Sequence, residues 1–496
     1  MTQPIVVAHW AEPRAAADLF FQLPAQPGRF LLESQGGPAD IARYSFFGQR
    51  PFAQLITRGQ HIKLIEGDSI QEWIGDPLTA LQAQLDRFPV TPTPTLPPFP
   101  GGAVGYLGYD LGRQLERLPD TAHDDLHLPE LCLAFYDHLI ALDHHTAQAY
   151  ALALPLPGRE QQALTAAKQL HKLIQPPNHL TTPRQRPVAI AEWEPPNHPA
   201  SAPRSDNGVE TTQPLITSNF TRASYRRAIQ RALDHIAYGH IYQVNLAQRF
   251  TAPLTLSPES RRDNLAPVYQ TLRRNNPAPF AAFLHYPDFQ IISASPERFL
   301  HFDPITRRVE TRPIKGTRPR GQTQEADDQL AAELLASEKD KAELVMIVDL
   351  ERNDLGRVCD YGSVHVPDLR RLEPYPTVWH TVATVEGQLR PTTTTTDLIR
   401  ATFPGGSITG APKIRARHII EELEGLRRHV YCGAIGYFSF TGQLDLNIAI
   451  RTLTIKNNTA YFHAGGGLVA DSDPDNEYDE TLHKARALAQ ALNANL

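Results

Sequence analysis

The stretch TRPIKGTRPRG, Thr311–Gly321, sets one lysine, Lys315, among three arginines, two prolines and two glycines, with no carboxylate to pair it. A lysine crowded by cations can have its pKa depressed, which leaves a neutral amine free to act as a nucleophile. The plainer reading of the stretch is a basic surface loop. Two acidic pairs lie downstream. Asp340 and Glu343 in DKAELVMIVDLERND stand three apart, as do Glu477 and Glu480 in EYDETLHKARAL, so each pair shares a helical face. One or two such carboxylates suit Mg²⁺, whose octahedron is completed by water and ligand oxygens. A solvated face, with Glu480 paired to Lys484, is the plainer alternative. In HAGGGLVADSD, Gly465, Gly466 and Gly467 follow a strand-like run. They read either as a tight turn or as backbone N–H groups free to converge on an anion.

The segment FPGGSITGAPKIRARHIIEELE has the glycines of a phosphate loop but lacks the Gly-Lys-Ser/Thr ending, which disfavours nucleotide binding. Its turn would present Ser407 and Thr409 ahead of a helix beginning near Pro412, whose amides suit a carboxylate. Arg451 in IAIRTL could hold a carboxylate through two parallel hydrogen bonds, which a lysine cannot do. Together these residues imply an anionic small molecule held by arginine, glycine amides and a metal, with Lys315 left for chemistry.

These groups must be positioned by a chain of 496 residues, enough for two or three domains. With 41% hydrophobic and 21% charged residues it reads as a soluble globular protein. The net charge of −6 gives no reason to expect nucleic acid or an anionic membrane as partner. No apolar run reaches membrane-spanning length, and the N-terminus lacks the pattern of a secretory signal. Cys132, Cys359 and Cys432 are scattered and odd in number, which fits neither a disulfide framework nor a zinc cluster and points to a reducing cytoplasm. A proline-rich polar segment, 175–214, reads as a linker between an N-terminal region, 1–174, and a C-terminal region, 215–496. PVTPTPTLPPFPGG, Pro89–Gly102, reads as a long loop, and PTTTTTD as a loop before a helix. The later half mixes helical patterns (SNFTRASYRRAIQRALDHIAYG, DKAELVMIVDLERND, DETLHKARALAQALNANL) with strand patterns (IYQVNLAQRF, GAIGYFSF, LDLNIAIRTLTI).

At YQVNLAQRF, SASPERFL, RPIKGTRPRG, AELVMIVDLERNDLGRV, FPGGSITGAPKIRA, CGAIGYFSF, IAIRTL and AGGGLVADSDPDNEYDETLHKA the chain resembles the chorismate-utilising enzymes. The matches run in family order through nearly all of 218–496. Lys315 in PIKGT is similar to the aminodeoxychorismate synthase branch, whereas anthranilate synthases carry PIAGT. Isochorismate and salicylate synthases place a water-activating lysine where Gln243 stands, and glutamine there fits ammonia as the incoming nucleophile. The resemblance implies an α/β (α+β) fold of two extended β-sheets packed together with helices outside. It also implies Mg²⁺ held by Glu343 and Glu480, with Asp340 and Glu477 supporting through water.

The resemblance further implies that Lys315 is a covalent nucleophile towards chorismate and that His380 in YPTVWH is a general acid. Glu297 in SPERF would line the active-site wall. Ser407, Tyr431, Arg451, Gly465, Gly466 and Gly467, with Gly316, Thr317 and Lys484, would bind substrate. Ammonia would come from a separate glutamine amidotransferase subunit, since none of the cysteines sits in a glycine-flanked elbow. Leu32, Glu33 and Ser34, in LLES, resemble the tryptophan pocket of anthranilate synthases, whereas NNPAPFAAF, Asn275–Phe283, looks more like the aminodeoxychorismate branch. Component I of an anthranilate synthase is therefore the alternative. A non-catalytic amino-acid-sensing subunit is a third reading, opposed by the full set of Lys315, the carboxylates and Arg451.

Overall fold

The computed structural model of the chain describes residues 4–11, 15–174, 215–254 and 265–496. The expected linker, 175–214, lies outside the described residues. Two 12-stranded antiparallel sheets form the body. The first runs in the order Ile5–Ala11, Gln148–Ala153, His138–Asp143, Tyr44–Gly48, Phe30–Glu33, Phe280–His285, Phe289–Ser295, Thr452–Lys456, Thr459–Leu468, Gln243–Pro253 and Thr217–Ser218. Gly410–Ala411 adds a short pairing beside Gln243. The second begins at Ile314–Pro319 and continues through Val378–Gln388, Arg308–Arg312, Arg298–Phe302, Leu444–Ile448, Ala434–Ser439, Gly102–Leu107, Leu131–Tyr136, Ala53–Arg58, His61–Glu66 and Ser69–Ile74. His365–Pro374 pairs with Val378–Gln388 off this path. Strands from before and after 175–214 are interleaved in both sheets.

Alternation along the strands explains the layering. In Gly102–Leu107, Val104 and Tyr106 enter a core shared with Phe30, Phe46, Ala282 and Ile291 of the first sheet. Their neighbours Ala103 and Leu107 face the other way, onto Leu78, Leu81 and Leu85 of the Pro77–Asp86 helix and Leu344 and Val348 of the Glu338–Gly356 helix. On the outer face of the first sheet, Leu31, Phe47, Phe283 and Phe462 meet Phe20, Tyr269 and Leu488 from helices. Each such apolar side chain taken out of water contributes about 1.5–3 kcal/mol. Sheet against sheet with helices outside is the architecture that the family resemblance implied.

Local signals place the helices that reach the site. Thr221 and Ser224 close a reciprocal capping box at the start of Arg222–Ala237. Ser337 accepts from the Asp340 amide to start Glu338–Gly356. Asp473 accepts from Asp475 and Asn476 to start Pro474–Ala491. The helix expected near Pro412 runs Lys413–Glu424, with Pro412 at its N-cap. The threonine run leads into the helix Thr395–Thr402 as expected. No helix of the described residues is long and apolar enough to cross a membrane.

Candidate active site

Lys315 lies in an edge strand, not in a loop. Its strand slips by one residue against its neighbour: Ile314 faces Val382, and Thr317 faces His380, so Lys315 and Gly316 together oppose Thr381. The bulge needs Gly316, whose φ of 85° lies in the left-handed region. A Cβ there would also come 2.8 Å from Leu334 and 3.0 Å from Asp340. Thr381 clasps the bulge by donating its hydroxyl to the Lys315 carbonyl. The half-buried Lys315 side chain then crosses to the turn before Lys413–Glu424, where Nζ donates to the Ser407 carbonyl at 3.0 Å.

The charges around Lys315 correct the expectation of crowding cations. Arg312 pairs with Asp40 and Glu373, Arg318 with Asp340, and Arg320 with Asp327. What Lys315 meets instead are carboxylates: its charge acts on Glu297, Glu343 and Glu480. Burial raises the pKa of Glu297, while the Ser407 hydroxyl and the Lys315 ammonium pull it down. The Ile314 amide lies 3.5 Å from one of its oxygens.

Two helices supply the other acids. Burial pushes the Glu343 carboxyl up, Lys315 and Lys339 oppose this, and the charges of Asp340 and Glu477 reinforce it. Glu477 is buried and raised, holding a hydrogen bond from Ser472 at 2.6 Å. Glu480 is half-exposed; partial desolvation raises its carboxyl, but Lys484, paired with it at 2.6 Å, lowers it overall. Lys484 also donates to the Gly465 carbonyl at 2.9 Å. Among the described residues no three His, Cys, Asp or Glu side chains form a ready-made metal cage. The carboxylates fit an ion that takes one or two of them and fills its remaining positions from water and ligand, as Mg²⁺ does. Gly466 leaves that space open: a Cβ on it would stand 3.1 Å from Glu477 Oε2 and 3.7 Å from Glu480 Oε1.

Gly465, Gly466 and Gly467 form neither a turn nor a loop. They continue the strand Thr459–Leu468 and pair with Ala247, Leu246 and Asn245. Thr452–Lys456 pairs that strand only as far as Phe462. Beyond this point the glycine run has a partner on one side, and its other edge faces the site. A Cβ on Gly467 would lie 2.2 Å from the Gln243 amide nitrogen, so the missing side chain makes room for the buried carboxamide. Gln243 Oε1 has no partner among the described residues.

His380 is buried beside the bulge, with Nδ1 2.9 Å from the Thr317 hydroxyl and its ring edge-on to Tyr375 at 4.9 Å. Its Nε2 is unpartnered among the described residues. Burial, then the positive charge of Arg451, lowers its pKa to about 3, so the imidazole is neutral near pH 7. The Arg451 guanidinium donates one hydrogen bond, to the Asn276 side chain at 3.1 Å, and makes no ion pair among the described residues. Tyr431 is buried and stacked on His463 at 4.8 Å. Lys315, the four acids, Ser407, His380, Arg451, Gln243 and the glycine run thus belong to elements converging where the Lys315 end of the second sheet meets the Gln243 end of the first.

The sequence matched to a family model for chorismate binding enzymes spans residues 29–490. The chain is a chorismate-binding enzyme. Across 494 residues it is 38% identical to aminodeoxychorismate synthase component 1 of Salmonella typhimurium, covering 99% of each chain. It is 37% identical over 498 residues to anthranilate synthase component 1 of Acetivibrio thermocellus, covering 99% of this chain and 95% of that one. The structure of anthranilate synthase component I from Streptococcus pneumoniae superposes with a TM-score of 0.73 at 32% identity, covering 90% and 92% of the two chains.

Several residues of this chorismate-binding enzyme were not singled out from sequence. Asn276 orients Arg451, Tyr375 packs on His380, and Glu351, Asp354 and Lys413 form a buried group behind Ser407. The only signal is spacing, and it covers Glu351 alone, which lies two helical turns beyond Glu343 on the same face. A separate cavity of about 180 Å³ lies beside Leu32 and Ser34, with Phe46, Pro279, Tyr437 and Asp445 in its walls. Glu33 borders it too, but its carboxylate is taken by Tyr269 and Arg273, each at 2.8 Å.

Proposed function

We propose that the chain is the large subunit of an aminodeoxychorismate synthase, converting chorismate and ammonia to 4-amino-4-deoxychorismate. The observation that carries this reading is Lys315 itself, an amine on a glycine-dependent bulge, aimed at Ser407 among carboxylates. Arg451, free of any carboxylate partner among the described residues, is suited to the substrate carboxylate. Glu343 and Glu480, supported by Asp340 and Glu477, would hold Mg²⁺. When bound, that ion neutralises charge on the ring carboxylate and draws electron density from the ring.

Lys315 first loses a proton, and Glu297 is the acceptor beside it. The amine forms a bond to ring carbon C2 as the C4–oxygen bond breaks, and the leaving hydroxide takes a proton. Glu297 would return to it the proton taken from Lys315, and His380, neutral and therefore a poor acid, would hydrogen-bond the departing oxygen. Ammonia then bonds to C4, the C2–nitrogen bond breaks, and Lys315 is regenerated. Two easier displacements replace one difficult one. Gln243 offers no basic amine to activate water, which favours ammonia.

Ammonia would reach this site from a glutamine amidotransferase subunit. Cys132, Cys359 and Cys432 are buried, with burial raising the thiols of Cys359 and Cys432 to about 11 and about 12, and so do not suit glutamine hydrolysis. The cavity beside Leu32 and Ser34 would take a tryptophan-like amino acid, and it favours anthranilate synthesis as the second reading. Purified protein given chorismate, Mg²⁺ and an ammonium salt, with products separated and weighed, decides between them. Aminodeoxychorismate supports the lysine-based reading, whereas anthranilate with pyruvate overturns it.

A further inference from the structure

Behind the turn that receives Lys315 lies a buried carboxyl with no assigned task. Glu343, Ile347 and Glu351 follow one another on a single face of the Glu338–Gly356 helix. That face brings Glu343 towards Lys315 and sets Glu351 behind Gly406 and Ser407. A Cβ on Gly406 would stand 3.6 Å from Glu351 Cγ. Glu351 is 7% exposed, and Thr311, four residues before Lys315, donates its hydroxyl to Glu351 Oε2 at 3.1 Å. Thr311, Glu351, Asp354 and Gly406 also line a void of about 10 Å³, the size of one water site.

The charges facing Glu351 are unevenly shared. Asp354 on the same helix is paired with Lys413 and with Arg357. Glu297, on the turn after Phe289–Ser295, has Lys315 beside it. Glu351 has no cation within ion-pair distance among the described residues, and the charge of Glu297 bears on it. A buried, unpaired carboxylate is expensive, and such a group takes a proton instead.

We propose that Glu351 is held as a neutral carboxylic acid, which leaves Glu297 as the single negative charge facing Lys315 from this side. The consequence for turnover rests on Lys315 being the nucleophile; the protonation state does not. Burial, then the Glu297 charge, pushes Glu351 well above the usual carboxyl range, with Asp354 adding to the effect and the Thr311 hydrogen bond and the Lys413 charge opposing it.

The test uses the ligand-free, full-length protein. Infrared difference spectra between wild type and Glu351→Gln near pH 7 should show loss of a protonated-carboxyl carbonyl band. Absence of that band from the wild type overturns the proposal. A carboxyl raised on folding takes up protons between its unfolded and folded pKa values, so its contribution to stability declines as pH rises through that window. Glu351→Gln removes this decline and should match or exceed the wild-type melting temperature at pH 8. A less stable variant there means an ionised, paired Glu351 and sinks the idea. Should the variant fold poorly, Thr311→Val serves instead, expected to shift the band upward in frequency by removing a hydrogen bond; an unmoved band counts against the assignment. In turnover, the alkaline limb of the pH profile should move upward in Glu351→Gln, and an unmoved limb refutes the link to Glu297. If the product assay fails while the band is present, the nucleophile reading is wrong and this one stands.

Discussion

The Lys315 ammonium and the Ser407 carbonyl meet at 3.0 Å across 92 residues of chain. That contact fixes where the amine waits before substrate arrives. Ser407 sits on a short turn, Gly406–Ile408, packed against the Glu338–Gly356 helix, and Lys315 sits on a bulge gripped by Thr381. Neither end is free to wander, which is what preorganisation of a nucleophile requires.

Replacing Lys315 with alanine is expected to abolish any covalent adduct with chorismate, detectable by intact-protein mass spectrometry after rapid quenching. Aminodeoxychorismate formation should fall with it. Undiminished product would remove Lys315 from the role of nucleophile.

The glycine run permits a contrast between neighbours. A Cβ on Gly465 would lie 2.3 Å from the Leu246 carbonyl oxygen, a backbone atom that cannot step aside. Gly465→Ala should therefore cost about 1–3 kcal/mol of stability, as overpacking does. The three atoms nearest the Cβ of Gly467→Ala all belong to the Gln243 side chain, whose end can shift where a backbone atom cannot. Its melting temperature should stay near wild type while turnover drops. Equal loss of stability in both variants would contradict this.

Glu343→Gln and Glu480→Gln should each raise the Mg²⁺ concentration needed for half-maximal turnover. Titration of activity against Mg²⁺ measures it, and an unchanged curve excludes the residue concerned from the metal site. Glu480 is already paired with Lys484, so Glu480→Gln should also loosen Lys484 from the Gly465 carbonyl.

His380 predicts a signature in acid. Its folded pKa of about 3 lies below the usual 6.5, so the unfolded chain binds a proton that the folded chain refuses. Stability from this group is present above the unfolded pKa and declines as pH falls from about 6.5 towards 3, by about 1.4 kcal/mol per pH unit at most. In His380→Gln the urea midpoint should fall less steeply over that range. Parallel slopes for the two proteins would show that His380 is protonated in the fold.

Local signals were legible in the sequence because helices and caps are built from neighbours. The capping cluster before Tyr225, the helix opening at Pro412 and the acidic helix bearing Glu343 all follow from spacing. What escaped was decided by pairing across the chain. The arginines around Lys315 looked like its companions, yet Arg312 is bound to Asp40, 272 residues away. The glycine run looked like a turn because its partner strand, Gln243–Pro253, lies more than 200 residues earlier. Nothing in the sequence marked Glu351 apart from the other helix acids, and it is the packing of Thr311 and Gly406 against it that buries it.

The interleaving of early and late strands also sets a schedule for synthesis. Gly101 is bonded to Ser439, 338 residues further on. At roughly 5–20 residues per second, a ribosome delivers that partner roughly 17–70 s after the first strand has emerged. Through that interval the apolar strand Gly102–Leu107 has an open side and no sheet to close it. The nascent chain therefore carries an unfinished apolar sheet edge until Ala434–Ser439 arrives, and that edge is open to wrong partners for as long.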